Sequence, residues 1–313
     1  MSKTVLFFPG QASQYVGMGR DLYDASAEVR ALYDLASKEI GEDIAQLSFD
    51  GPADELKRTR FTQPAILLHS LAVLTVMGDK QPDCDFVCGH SLGEYSALAA
   101  AGALSFEDAI RAVVKRASLM EEACVKNPGT MAALMGLGEL EVSRLCEKAS
   151  LKGVVIPANY NSKIQIAISG ATPAVEEAVA LAPEMGAKRA VMLEVGGAFH
   201  SPLMEPARDG LESFLADMTF NEPRVPVVAN VTAQPVTDPE AIRSLLVEQV
   251  TAPVKWMQTM EFLVGQDVST IIEIGPGKVL RSLAKREMRP ANLHTIDTMA
   301  DIESFSAVES NRD

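Results

Sequence analysis

The stretch Val87-Cys88-Gly89-His90-Ser91-Leu92-Gly93-Glu94-Tyr95-Ser96-Ala97-Leu98 constrains this chain more than any other. Phe86-Val87-Cys88 is short and apolar, the end of a buried strand, and the Ala/Leu-rich run from Tyr95 to Ala101 has the composition of a helix. Between them Gly89, Ser91 and Gly93 spell G-x-S-x-G, which in a strand–turn–helix context is a nucleophile elbow. The bend strains the serine backbone, so side chains two before and two after it must be absent, and glycine supplies that clearance. The serine Oγ is left at a helix N-terminus, whose free N–H groups and dipole favour negative charge. A glycine-rich turn without chemistry carries the same letters; the flanking strand and helix favour the elbow.

Such a sheet needs a full core. The 313 residues are 47% hydrophobic and 22% charged, enough for a main domain carrying a smaller one. A formal charge of −14 argues against nucleic acid or an anionic membrane as partner. Val5-Leu6-Phe7-Phe8 stops at Pro9-Gly10, far short of a secretory h-region. The longest apolar stretch, 65–77, is interrupted by His69 and Ser70 and reads as too short to span a bilayer. Cys84, Cys88, Cys124 and Cys146 show neither C-x-x-C nor paired zinc spacing. They read as reduced thiols of a cytoplasmic protein, with no metal site.

Thr4 to Phe8 reads as the first buried strand, followed by the loop Pro9-Gly10-Gln11-Ala12-Ser13-Gln14 and a helix from about Leu22 to Lys38. A loop after the first strand of a parallel sheet opens on the edge where α/β proteins place their sites. Gln11 therefore either faces Ser91 or is a solvated turn glutamine. Phe61 to Met77 reads as a buried helix, and Ser105 as the N-cap of a helix from about Phe106 to Cys124. There Arg116 sits among Ala112, Val113, Ala117 and Met120, from which it either snorkels outward or turns inward to hold an anion. After Asn127-Pro128-Gly129 come a strand (131–137), a helix (140–149), two strands (154–159, 164–168), a helix (173–185) and a strand (190–195). That β-α-β-β-α-β order is ferredoxin-like.

The expected fold is α/β: a hydrolase-like core with a parallel sheet flanked by helices, formed by 1–127 and 196–313, and an inserted ferredoxin-like small subdomain at 128–195. Further strands are expected at 225–231 and 270–274. A helix should run from Asp238-Pro239 to about Val250, and a basic one through Arg286. The polar tail from Ala300 should fray.

A serine hydroxyl is a poor nucleophile until a base takes its proton. Of four histidines, His90 should point to the far side of the turn and shape the elbow, His69 lies in an apolar helix, and His294 is near the end. His200, in a loop just before the Ser201-Pro202 helix start, is the best base by elimination, although a loop histidine also serves for packing. No Asp or Glu stands out as its orienting partner among 42 carboxylates, and a backbone carbonyl could serve. The oxyanion needs N–H donors, one from Leu92 and a second from the Gln11 loop. The residues alone thus describe an α/β serine enzyme of acyl transfer. An esterase or thioesterase of the α/β-hydrolase type shares G-x-S-x-G, but FPGQASQ stands where an HGGG-type loop is usual.

Seven runs in order resemble the malonyl-CoA:acyl-carrier-protein transacylases and the acyltransferase domains of polyketide synthases. They are FPGQASQ (8–14), GHSLGEYSAL (89–98), KRASLM (115–120), MAALMGL (131–137), NYNS (159–162), AFHSPLM (198–204) and EIGPGKVL (273–280). The resemblance implies Ser91 as the acylated nucleophile and His200 as its base, oriented by the main-chain carbonyl of Gln249. It implies Gln11 and Leu92 N–H as the oxyanion hole, Arg116 as the grip on the malonyl carboxylate, and Met120, Phe199 and Asn159 in the substrate pocket. Phe199 and Leu92 are similar to malonyl-selective members, whereas Ala12 and Ala117 stand where glycine is usual. The substrates implied are malonyl-CoA and a phosphopantetheine-bearing acyl carrier protein, with no bound cofactor. A free-standing cytoplasmic monomer is expected, serving fatty-acid elongation or, alternatively, a polyketide pathway. Such carriers are acidic and so is this chain, so docking needs a local basic patch. Lys285, Arg286 and Arg289, with Lys188 and Arg189, are candidates, or simply solvated cations.

Overall fold

Alternate residues of the first strand enter two different apolar clusters, Leu6 and Phe8 on one side and Val5 and Phe7 on the other. Side chains of a strand alternate between faces, so this strand is buried on both. The computed structural model describes residues 3–309. Its strands in chain order are β1 (Lys3–Phe8), β2 (Phe86–Gly89), β3 (Thr130–Met135), β4 (Val155–Ser162), β5 (Gln165–Gly170), β6 (Arg189–Met192), β7 (Val227–Val228), β8 (Pro235–Val236), β9 (Val268–Ile274) and β10 (Asn292–Ile296). The main sheet has the order β10-β9-β1-β2-β7-β8 and is parallel except for its last pair. β1 and β2 pair from Val5↔Phe86 to Phe8↔Gly89. The loops carrying Gln11 and Ser91 therefore leave the sheet side by side at its carboxyl edge.

Helices cover both faces. The Thr59–Met77 helix is apolar nearly all round and lies in the first cluster. The longer helical run Thr59–Lys80 that contains it is, by length and composition, long and apolar enough to cross a membrane, and 83% of its most apolar window is buried inside the protein. On the other face Trp256, opening the Trp256–Gly265 helix, meets Phe7 edge-on at 4.9 Å between ring centroids.

The second sheet, β4-β5-β3-β6, is antiparallel throughout, the strand order of a ferredoxin-like unit. Ala132 and Leu134 of β3 pack under the helices Glu139–Ala149 and Thr172–Leu181. Their alternates, Met131 and Ala133, line a cavity against the main sheet's carboxyl edge.

Several expectations need correction. The helix from Leu22 to Lys38 is two, Arg20–Ala25 and Ala27–Ile40, because Ser26 leaves the helical region and its side chain caps Val29 N–H. The strand at 225–231 shrinks to Val227–Val228, since the chain beyond it turns Asn230 toward the elbow. The tail does not fray from Ala300: Met299–Glu309 is a helix with Ile302 and Phe305 buried, while 310–313 lie outside the described residues. Short helices at Ile44–Asp50 and Ala53–Leu56, the Trp256–Gly265 helix and strand β10, which holds His294, carried no signal that the sequence reading used.

Candidate active site

Ser91 sits between β2 and the Gly93–Ala101 helix with φ +52°, the left-handed conformation a non-glycine residue adopts only under constraint. A Cβ on Gly89 would lie 2.0 Å from the Gly93 carbonyl oxygen, and one on Gly93 2.2 Å from that of Phe8. Asn230 holds the bend from both sides, accepting the Ser91 N–H at 2.7 Å and donating its amide to the Gly89 carbonyl at 2.7 Å. The Ser91 N–H is therefore committed. The Gln11 and Leu92 N–H groups meet no protein acceptor among the described residues, and both residues line the cavity that holds Ser91.

The Ser91 hydroxyl oxygen lies 2.8 Å from His200 Nε2. His200 is buried at φ +57°, and its Nδ1 lies 2.8 Å from the Gln249 carbonyl oxygen. A carbonyl only accepts, so Nδ1 carries the proton and Nε2 is left to take one from serine. Ser201 caps the turn after it, accepting the Leu203 N–H at 3.3 Å and donating to the Ala198 carbonyl at 2.7 Å. Burial, reinforced by the neighbouring Arg116 charge, pushes the His200 pKa down to about 3.

Arg116 turns inward. It is buried, and its Nη2 donates to Ser91 Oγ at 3.0 Å and to Gln249 Oε1 at 3.0 Å, while Nη1 donates to Gln63 Oε1 at 2.6 Å. These partners are neutral oxygens. A guanidinium held this way keeps its charge available to an arriving carboxylate, for which its planar fork is suited.

The cavity measures about 540 Å³ and is lined by Met120, Asn159 and Phe199 as well as by Gln11, Ser91, Leu92 and His200. Met120 is fixed by the Gln63 amide at 3.5 Å from its sulfur. Ala12 also lines it, at φ +80°, a conformation that favours glycine. Ala117 is buried in its helix and is not a lining residue, so its methyl lies off the cavity. His90 does not turn to the far side of the bend: it lines the cavity, bonded to Asn161 Oδ1 at 2.9 Å. His69 lies in the core with its Nε2 2.9 Å from an Asp297 carboxylate oxygen. Lys278 and Arg286 reach the mouth of the cavity, whereas Lys188 and Arg189, at the start of β6, do not line it.

Three buried polar residues of the site, Glu94, Asn230 and Gln63, were missed in the sequence. Glu94 is buried, accepting the Gln249 amide at 2.7 Å and the Asn230 N–H at 3.2 Å, and burial raises its pKa to about 7. A carboxylate inside an otherwise apolar helix was its signal. Asn230 had none beyond its place after a valine run. Among the described residues no group of three or more His, Cys, Asp or Glu could hold a metal ion.

Residues 5–304 match a family model described as an acyl transferase domain. A malonyl CoA-acyl carrier protein transacylase of Bacillus subtilis (strain 168) is 43% identical over 290 residues, 92% of each chain. The crystal structure of an acyl-carrier-protein S-malonyltransferase from Bartonella henselae superposes with a TM-score of 0.93 at 41% identity, covering 99% of this chain and 100% of that one. A malonyl-transacylase in complex with its type II PKS acyl-carrier protein superposes with a TM-score of 0.92 at 39% identity, covering 99% and 100%.

Proposed function

The chain belongs to the acyl transferase domain family, and from that premise we propose that it carries malonyl from malonyl-CoA to the phosphopantetheine thiol of an acyl carrier protein, for fatty-acid elongation. The observation that carries the reading is the convergence of two side chains on one atom. His200 Nε2 and Arg116 Nη2 both lie within hydrogen-bond distance of Ser91 Oγ.

In the first half-reaction Ser91 Oγ attacks the thioester carbonyl carbon while its proton passes to His200 Nε2. The oxyanion is received by the Gln11 and Leu92 N–H groups, which have no protein acceptor to give up. The C–S bond then breaks, the CoA sulfur takes the proton from His200, and a malonyl–serine ester remains. In the second half the pantetheine thiol gives its proton to His200 and its sulfur attacks the ester carbon. Ser91 leaves and recovers the proton. Thioester is exchanged for thioester, so the enzyme's task between halves is to keep water from the ester. The malonyl carboxylate sits on Arg116, which an acetyl group cannot engage.

Intact-protein mass spectrometry tests the scheme. With malonyl-CoA the wild type should gain the mass of one malonyl group and lose it to added holo-carrier, and Ser91→Ala should gain nothing. Covalent malonyl on Ser91→Ala would overturn it. The similarity to a transacylase seen with a type II PKS carrier makes a polyketide carrier the second acceptor to assay.

A further inference from the structure

Gln249 uses both ends of its side chain. Its Oε1 accepts from Arg116 at 3.0 Å, and its Nε2 donates to Glu94 Oε2 at 2.7 Å and to the Ser91 carbonyl at 3.1 Å. Its main-chain carbonyl meanwhile holds His200 Nδ1. An amide can be seated in two ways, and only one presents an oxygen to the guanidinium. The flipped amide would set N–H groups against the N–H groups of Arg116 and an oxygen against two acceptor oxygens, with all three bonds lost. Glu94 Oε2 accepts two N–H groups, those of Gln249 and Asn230, so this oxygen serves as an acceptor and admits only the seating in which Nε2 faces it. Glu94 also accepts the N–H of Asn230, whose side chain clamps the Ser91 bend. Glu94 is 3% exposed, and its carboxylate is joined to Arg116 through one amide.

We propose that Glu94 is the positioning residue of this site, fixing through Gln249 the direction in which Arg116 presents its guanidinium. The inference rests on the reading of Arg116 as the malonyl-carboxylate partner. The Glu94 carboxylate bonds neither the nucleophile nor its base; its only link to Ser91 is the helical one from its main-chain N–H to the Ser91 carbonyl at 3.1 Å, which a side-chain change leaves in place. Its effect passes through Gln249, and it should register in which acyl group is preferred rather than in whether acyl transfer occurs.

The test is the malonyl-to-acetyl preference in kcat/KM for acyl-enzyme formation, measured for wild type, Glu94→Gln, Arg116→Ala and the double variant. Glutamine can donate as well as accept, so it no longer dictates how Gln249 is seated. Glu94→Gln should lower the preference at least tenfold, mostly through a higher KM for malonyl-CoA. In the Arg116→Ala background it should change the preference less than twofold, because no guanidinium remains to orient. If Glu94→Gln does not fold, Gln249→Met cuts the same link, keeps the main-chain carbonyl on His200, and should give the same loss. Equal losses toward malonyl and acetyl, or an unchanged preference in the variant that folds, would mean that Glu94 only supports the fold. An unchanged preference in Arg116→Ala would instead remove the carboxylate reading of Arg116.

Discussion

Arg116 donates to the hydroxyl oxygen of Ser91 at 3.0 Å, on the atom that His200 Nε2 also approaches at 2.8 Å. A fixed cation thus borders both the nucleophile and its base. It stabilises negative charge developing on the serine oxygen, and it opposes a proton on the imidazole. The second effect keeps the imidazole neutral and ready to take a proton, and the first favours the serine oxygen as that proton leaves.

The first consequence is a pH profile. The His200 pKa lies at about 3, lowered from 6.5 by burial first and by Arg116 second. The reactive form is the neutral one, so activity falls only where the imidazole gains a proton. Acyl-enzyme formation from acetyl-CoA should stay flat in kcat/KM from pH 8 to below pH 5, without a limb at the ordinary histidine value. In Arg116→Ala the limb should move up, toward that value. A wild-type limb near pH 6.5 would contradict the burial and charge assigned to His200.

A second consequence concerns selectivity. Arg116→Ala should cut kcat/KM for malonyl-CoA far more than for acetyl-CoA, which loses only the charge beside Ser91 and His200. Each charge-assisted hydrogen bond to the carboxylate is worth roughly 1.5–3 kcal/mol, so the preference should drop by about ten- to a hundredfold for each bond lost. Arg116→Lys should not restore it, because an ammonium cannot reproduce the fork that spans Gln63, Gln249 and Ser91. Steady-state kinetics with the two thioesters decides the matter.

The elbow was legible because its geometry leaves a mark on residue types: a side chain at Gly89 or Gly93 would overlap backbone atoms. The two sheets were legible too, from the β-α-β-β-α-β order of elements that follows Asn127-Pro128-Gly129. The inward turn of Arg116 was not. A basic residue on an apolar face reads equally as snorkelling, and only Gln63 and Gln249, 53 and 133 residues away, decide the direction. Glu94 and Asn230 were hidden for the same reason, since their partners are long-range and amides carry no periodic signature. The strand ending before Asn230 was overestimated because valine content marks burial and not ladder pairing.

Docking of an acidic carrier is the third case. Lys278 and Arg286 reach the cavity mouth, and Lys285 is exposed on the same Val279–Glu287 helix. On a chain of net charge −14 this is a local exception. The double reversal Lys285→Glu with Arg286→Glu should raise KM for the carrier several-fold at low salt and much less at high salt, where the Debye length falls to about 3 Å at 1 M. KM for malonyl-CoA in acyl-enzyme formation, which involves no carrier, serves as the internal comparison. Reversal at Lys188 and Arg189, away from the mouth, should do less. An unchanged carrier KM at low salt would return all of these cations to the solvated surface.

The last case is a stability term that runs against that of His200. Glu273, next to last in β9, is fully buried, with its carboxylate oxygens accepting Leu280 N–H at 3.1 Å and Arg281 N–H at 2.8 Å, so it anchors the start of the helix that carries Arg286. Burial nevertheless wins, and its pKa rises from 4.5 to about 7. Between those values the folded state binds the proton more than the unfolded chain does, so this group's contribution to stability is fully present below pH 4.5 and is lost as pH rises through 7. His200, with its pKa lowered, has the opposite sign and costs stability as pH falls from 6.5 toward 3. Glu273→Gln removes only the first term. Thermal melts should therefore show the gap between wild type and variant narrowing as pH goes from 5 to 7.5. A gap that widens with pH would mean that the two N–H donors outweigh desolvation and that Glu273 is held ionised.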